Sequence, residues 1–434
     1  MARPRSDPAA GTGRTPRPGL PAISRRLVVT MAIATGVAVA NNYYAQPLLA
    51  AIRQTFHAGT GETGLVVTFA QVGYALGLVF LLPLGDLFER RRLVVAATLV
   101  CALGLVGYAL APGLGLLFGA AALVGGTSVV AQILVAFAAS LAGDAERGRV
   151  VGTVMSGLLL GILLARTAAG FIAQASSWRV VYVAAALATA LLGAILRREL
   201  PAYREDSQLS YPQVLRSVLS LFMAEPTLRR RSLYGLLSFG AFSVLWTSLA
   251  FLLSAPPYRY STGTIGLFGL VGAAGAAMAS IAGRLADRGH QATVTTFTAL
   301  GVLVAFVALW LAPHVLAVLI GGIVLLDLGC QGLHISNQSE IYRLAPQARS
   351  RVNSAYMTCY FIGGTLGSLG SAYAYGAGGW SYVCALGAGF GGLAWLVSLT
   401  ERRYVRRRNE RDVAEELRGP PEPLSSERSR ALPS

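Results

Sequence analysis

Twelve stretches of almost uninterrupted apolar residues, at 27–52, 65–84, 93–111, 114–142, 150–173, 179–196, 232–254, 264–282, 293–311, 315–338, 352–375 and 380–399, are the feature that most restricts this chain. Each can cross a hydrocarbon core of roughly 30 Å as a helix rising about 1.5 Å per residue. Helices satisfy their backbone polar groups internally, which lipid cannot do for them. Only 13% of the residues are charged and 50 are glycine, as expected of tightly packed spans. An all-α integral membrane protein with twelve transmembrane helices is therefore expected.

The formal net charge of +16 would suit a nucleic-acid partner in a soluble chain. Its distribution says otherwise. There is no lysine, and the arginines gather at Arg25–Arg26, Arg90–Arg92, Arg147 and Arg149, Arg197–Arg198, Arg229–Arg231 and Arg402–Arg408. With a cytoplasmic N-terminus all of these fall inside, and the opposite side receives only Arg53, Arg179 and Arg259. That asymmetry is the positive-inside rule, so both termini are expected in the cytoplasm and the basic charge to meet lipid, with no nucleic acid. Cys101, Cys330, Cys359 and Cys384 all lie within spans, without metal or redox spacing. No cofactor motif appears, and a Walker A sequence is absent. The run "SRRLVV" at Ser24–Val29 imitates a twin-arginine export signal, but cleavage after it would remove a span that has a repeat counterpart.

The repeat is legible directly. "AERGRVVGTVM" (Ala145–Met155) matches "QARSRVNSAYM" (Gln347–Met357), and the same offset of 202 carries Gly161 to Gly363 and Trp178 to Trp380. Asp86 and Asp287 stand 201 apart. The organisation that follows is a disordered cytoplasmic tail over 1–26, a six-helix half over 27–196, a cytoplasmic linker over 197–231, a second six-helix half over 232–399, and a disordered cytoplasmic tail over 400–434. Within the linker, "YPQVLRSVLSLF" (Tyr211–Phe222) has the spacing of an amphipathic surface helix. Two parallel six-helix halves related by an axis along the membrane normal form a known transporter plan.

Between the second and third spans stands Leu82-Pro83-Leu84-Gly85-Asp86-Leu87-Phe88-Glu89-Arg90-Arg91. It resembles the glycine–x–x–x–aspartate–x–x–glycine–arginine–basic motif of the major facilitator superfamily. Leu82 and Glu89 replace the two glycines, while Asp86, Arg90 and Arg91 match. The second copy, Gly283-Arg284-Leu285-Ala286-Asp287-Arg288-Gly289, keeps the first glycine and the aspartate. The resemblance implies the major facilitator fold, with Asp86, Arg90, Arg91 and Asp287 in a gating motif that latches the halves, Asp86 near Asn353. Within that superfamily the chain resembles the twelve-span drug/proton antiporter and efflux branch. Gly157, Gly161 and Gly170 follow its fifth-helix signature, with Ile162 in place of proline; the branch's fourth-helix arginine is missing.

In that fold the first, fourth, seventh and tenth helices line the cavity. The resemblance therefore gives a role to "VANNYYAQPLL" (Val39–Leu49), whose Asn41, Asn42, Tyr44 and Gln46 would face water or substrate, Tyr43 having interfacial snorkelling as an alternative. Gln132 on the fourth helix joins them, and Trp246, Thr247 and Ser248 on the seventh are weaker candidates, since small polar residues also join helices.

Charge at membrane depth is the sharper signal. Arg166 lies well inside the fifth span and Asp327 near the middle of the tenth, with Gln331, His334 and Gln338 on the same face at i+4, i+7 and i+11. Two readings stay open: an ion pair formed so that both charges are tolerated, or a proton-coupling pair. The Gly266, Gly269, Gly272, Gly275 series imitates a nucleotide loop but lies in an apolar helix, where close packing accounts for it. A membrane enzyme would need a nucleophile–base or metal constellation, and the four histidines are dispersed. The expectation is a monomeric secondary active transporter of the bacterial inner membrane, exporting a small-molecule substrate in exchange for protons. A proton-coupled importer is the nearest alternative, and a non-transporting receptor a remoter one.

Overall fold

The computed structural model describes residues 23–143, 146–204, 210–272, 291–344 and 349–418, with side chains omitted at 349–350 and 401–418. The second-half motif Gly283–Gly289, Asp287 included, and the expected N-terminal tail up to residue 22 lie outside the described residues. The spans are α1 (Arg25–Phe56), α2 (Thr60–Asp86), α3 (Arg90–Leu110), α4 (Leu114–Leu141), α5 (Arg147–Ala175), α6 (Trp178–Glu199), α7 (Pro226–Ser254), α8 (Thr262–Val271 in its described part), α9 (Gln291–Leu311) and α10 (Leu316–Leu344). A last helical stretch, Arg349–Arg418, is broken at Gly378 and Gly379 into α11 and α12. Gly379 has φ 63° and ψ −151°, a backbone conformation open essentially to glycine, and it lets the chain turn back through the bilayer. The protein thus forms twelve spans in two six-helix halves.

Leu103, Leu110, Leu187 and Leu311 are each more than 65% exposed (69%, 71%, 68% and 78%), which in water would be costly and in lipid is the expected outer face. The halves mirror one another in how they close one end, where α3 meets α6 and α9 meets α12. Arg179, at the start of α6, donates from Nη1 to the Ala109 and Ala111 carbonyls at the end of α3, at 3.2 and 3.0 Å. Trp380, at the start of α12, donates from Nε1 to the Leu309 carbonyl at the end of α9, at 3.0 Å. Each fills carbonyls that a helix C-terminus leaves unpaired.

Three spans are bent for identifiable reasons. In α1 the helix opens into a turn over 41–44, where Asn42 and Tyr43 donate to the i−3 carbonyls of Val39 and Ala40 at 3.0 and 2.9 Å. Pro47 causes it: it has no N–H to offer Tyr43, and its ring crowds that carbonyl. Pro83 acts likewise in α2, which passes through a π turn (Gly77–Leu81) into a 3-10 turn (Leu82–Asp86). In α4 the break falls at Val129, after Thr127 and Ser128 turn their hydroxyls back onto the Leu123 and Val124 carbonyls at 2.7 Å.

The halves meet along α2–α11 and α5–α8. Tyr74 stacks on Phe361 at 3.9 Å, and Ser354 donates to the Leu78 carbonyl at 3.4 Å. On the other side Thr167 donates to the Gly266 carbonyl at 3.0 Å, and the Gln174 amide oxygen accepts from Gly263 N and the Ser261 hydroxyl at 3.1 and 2.8 Å. The glycines that resemble the efflux signature have separate tasks: a side chain on Gly157 or Gly161 would strike the α1 backbone at Ala32 or Gly36, and one on Gly170 would strike α8. In the linker the helix Tyr211–Ala224 starts at a Ser210–Gln213 capping box, buries Val214 and leaves the apolar Leu219 and Met223 outward. At the other end α12 continues as helix to Arg418, past the boundary at 400 expected for a disordered tail. The segment after Thr400 is rich in Arg and Glu, both good helix formers.

Candidate functional site

The break in α1 turns Tyr43 and Gln46 towards α5. There the Arg166 guanidinium, 3% exposed, donates from Nε to the Gln46 amide oxygen at 2.6 Å. Its plane lies 3.9 Å from the Trp246 ring centre, 4.9 Å from Tyr43 and 5.7 Å from Phe242. Phe242 and Trp246 are one turn apart on α7, so a single face of that helix provides both rings. Stacking of this kind stabilises a desolvated cation by roughly 2 kcal/mol or more.

Trp246 also reaches the acid. Its indole Nε1 donates to Asp327 Oδ1 at 3.4 Å, and Asp327 is 3% exposed. Arg166 and Asp327, brought into one neighbourhood from opposite halves, form no direct ion pair among the described residues; both contact the indole. The glycine series of α8 forms the cover. A side chain on Gly269 would strike the Arg166 side chain at 2.8 Å, and one on Gly272 would strike Asp327 Oδ2 at 2.8 Å. Helix packing was the expected reason for these glycines, and the surface they admit is the charged pair itself.

Below this centre an aromatic cluster continues. Phe239 stacks on Tyr360 at 4.1 Å, and His334 lies 4.8 Å from Tyr360 and accepts or donates at Nδ1 with the Tyr356 hydroxyl at 3.0 Å. Gln331 and Gln338 are half-buried on the same side of α10. Gln132 is half-buried close to Tyr74.

The other expected cavity residues go to different places. Asn41 faces into the first half, donating to Cys101 Sγ at 3.4 Å and to Thr189 Oγ1 at 3.2 Å, so it joins α1 to α3 and α6 away from the charged pair. Tyr44 lines a lateral crevice of about 510 Å³ between α1 and α5 with Gly36, Gly157 and Leu164. Asn42 is buried with neither amide atom partnered among the described residues. The four-residue turn displaces these side chains from straight-helix positions, so they do not face one cavity together. Thr247 and Ser248 are buried; Ser248 shares a hydrogen bond of 2.6 Å with Ser371, joining α7 to α11. Tyr43 and Trp246 are the residues that sequence reading undervalued, and their spacing to Gln46 and Phe242 was the available signal.

The loop between α2 and α3 is built around Arg90, which is 4% exposed. It donates to the Gly85 carbonyl at 2.9 Å, Ser140 Oγ at 2.6 Å and Asp86 Oδ1 at 3.3 Å, and its guanidinium lies 5.5 Å from the Tyr203 ring. Arg91 pairs with Glu89 at 3.1 Å. Of the two basic residues, Arg90 is thus a buried brace between α2, α4 and the start of the linker. Asn353, expected beside Asp86, accepts from the Tyr342 hydroxyl at 3.0 Å inside the second half.

Comparison with known proteins agrees with this architecture. The model of the Major Facilitator Superfamily matches residues 31–338 and 294–432. The uncharacterized transporter YgaY of Escherichia coli O157:H7 is 54% identical over 366 residues, covering 84% of this chain and 93% of the relative. "Probable transporter SCO4007" of Streptomyces coelicolor is 35% identical over 396 residues, covering 91% and 90%. Among solved structures, a bacterial homologue of the human lysosomal transporter Spinster, in an inward-facing and occupied conformation, superposes with a TM-score of 0.69 at 15% identity, over 87% of this chain and 96% of that one. With twelve spans in two halves and a family model matched over most of its length, the chain belongs to the Major Facilitator Superfamily of membrane transporters.

Proposed function

We propose that the protein exports small organic molecules across the bacterial inner membrane in exchange for protons. The observation that carries this reading is a buried acid and a buried arginine, contributed by different halves and joined through Trp246. A carboxylate sealed in protein takes up and releases protons only as access alternates, and a guanidinium that stays charged biases that exchange. Rocking of one half on the other along α2–α11 and α5–α8 exposes such a pair to each side in turn. The motif resemblance to the drug/proton antiporter branch supports export over import. Proteoliposomes with an imposed pH gradient test the coupling: compounds found by thermal stabilisation of the purified protein should accumulate on the acidic side and collapse the gradient as they do so. Accumulation on the alkaline side would make the protein an importer, and movement indifferent to pH would end the proton-coupled reading.

Both termini and the linker are assigned to the cytoplasm from the arginine asymmetry and the even number of spans. Reporter fusions after Arg231 and at Ser434 should both read cytoplasmic. An external signal from either one would mean that a span has been miscounted.

A further inference from the structure

The charged centre leaves one end of each ion uncommitted. Arg166 spends Nε on Gln46, while its buried Nη2 has no partner among the described residues. Asp327 receives the indole N–H on Oδ1, and its Oδ2 accepts no hydrogen bond among the described residues, facing the bare side of Gly272. Two opposite charges that needed only to survive burial would pair directly, since each is the cheapest available partner for the other. Here both instead contact the indole, the cation over its ring face and the acid at its N–H edge, and one donor and one acceptor are left unused.

We propose that Arg166 and Asp327 are the two poles of a site for a small zwitterion with an apolar body, an amino acid with a large uncharged side chain. This rests on the exporter reading above and names its substrate class. The carboxylate would take Arg166 Nη2, because a guanidinium edge offers directed donors to a planar anion. The ammonium would take Asp327 Oδ2 in a charge-assisted hydrogen bond. The apolar body would lie along Phe242, Phe239 and Tyr360, which form a continuous aromatic surface. A neutral amphiphile leaves both charges unpaired, an anion leaves the acid, and a cation leaves the arginine; each omission is costly in a desolvated site.

The same geometry supplies the coupling. A proton and an ammonium cannot both occupy the Asp327 carboxylate, so protonation from one side expels substrate and loss of the proton admits it. The other titratable groups around this acid are Arg166 from α5, Tyr43 from α1, Cys330 and His334 from α10 and Tyr360 from α11. The described parts of α7 and α8 facing it carry Trp246, Gly269 and Gly272, none of which titrates.

The test uses the purified full chain and three probes: L-phenylalanine, N-acetyl-L-phenylalanine, whose ammonium is masked, and L-phenylalaninol, which lacks the carboxylate. Calorimetric titration should find phenylalanine bound about tenfold or more tightly than either analogue. Arg166→Gln should erase the preference over phenylalaninol while keeping that over the N-acetyl compound, and Asp327→Asn should do the reverse. This crossed pattern cannot come from general misfolding. Either analogue binding as well as phenylalanine in the unaltered protein overturns the proposal, as does failure of all three to bind. If all three fail while another compound accumulates in proteoliposomes under a pH gradient, the exporter reading survives and only the zwitterion falls. If phenylalanine binds with the crossed pattern but never moves against its gradient, the site stands and the exporter reading falls.

Discussion

Asp327→Asn is expected to abolish pH-gradient-driven accumulation of substrate in proteoliposomes, down to the level of protein-free liposomes, while substrate at saturating concentration still exchanges down its own gradient. The carboxamide is nearly isosteric and can still accept the Trp246 indole hydrogen bond of 3.4 Å, so the packing around α7 and α10 survives. What is lost is the capacity to gain and release a proton. Desolvation and a nearby cation act on a buried carboxylate in opposite senses, and that balance is what Asn removes. Arg166→Ala should shift the pH optimum of the otherwise unaltered protein, and its effect should shrink when Asp327 is already Asn. Non-additivity of this kind is the mark of sites that share a partner, here the Trp246 ring. Full gradient-driven transport by Asp327→Asn would eliminate this carboxylate as the coupling group. Independent, additive effects would mean that the indole does not link the two charges.

The fold was legible because its causes are local. Eighteen or more apolar residues in a row leave a backbone few choices in lipid, and an offset of about 202 between matching segments announces two halves. The location of charge at membrane depth was equally plain: Arg166 and Asp327 stand out in apolar surroundings, and each is close to fully buried. What sequence could not give is the direction of side chains after a proline-induced break. A straight α1 would set Asn41 with Tyr44 and Asn42 with Gln46. The opened turn over 41–44 sends Asn41 to Cys101 and Thr189 and swings Gln46 to Arg166. Trp246 was hidden for a different reason. An aromatic residue on an apolar helix is ordinary, and only three-dimensional contact reveals that its ring carries a cation while its N–H holds an acid.

Arg90→Ala should be the most damaging single substitution outside the charged centre, felt as lost folding before lost transport. The guanidinium is 4% exposed and gives hydrogen bonds to the Gly85 carbonyl, Ser140 and Asp86. Truncation leaves a buried carbonyl without its donor and empties the space beneath Phe137 and Tyr203, which lie 6.0 and 5.5 Å from the guanidinium carbon. Hydrogen bonds to a charged group contribute about 1.5–3 kcal/mol each, and losing several at one buried site costs on the order of 3 kcal/mol or more. The expected readout is a clearly lowered melting midpoint and a smaller monodisperse peak in detergent. Arg90→Lys should recover only part of this, because one ammonium cannot reproduce a planar fork that serves three acceptors. Asp86→Asn should behave differently. Asp86 keeps an oxygen for Arg90 as the amide, and its side chain is 32% exposed, so the folded yield should be near that of the unaltered protein. By resemblance to the family motif its loss should slow turnover while leaving substrate affinity unchanged, since the residue sits at the end of α2, remote from Arg166 and Asp327. A stable Arg90→Ala protein with normal melting would show that this loop is held together by other contacts. Wild-type turnover by Asp86→Asn would remove the aspartate from the gating motif.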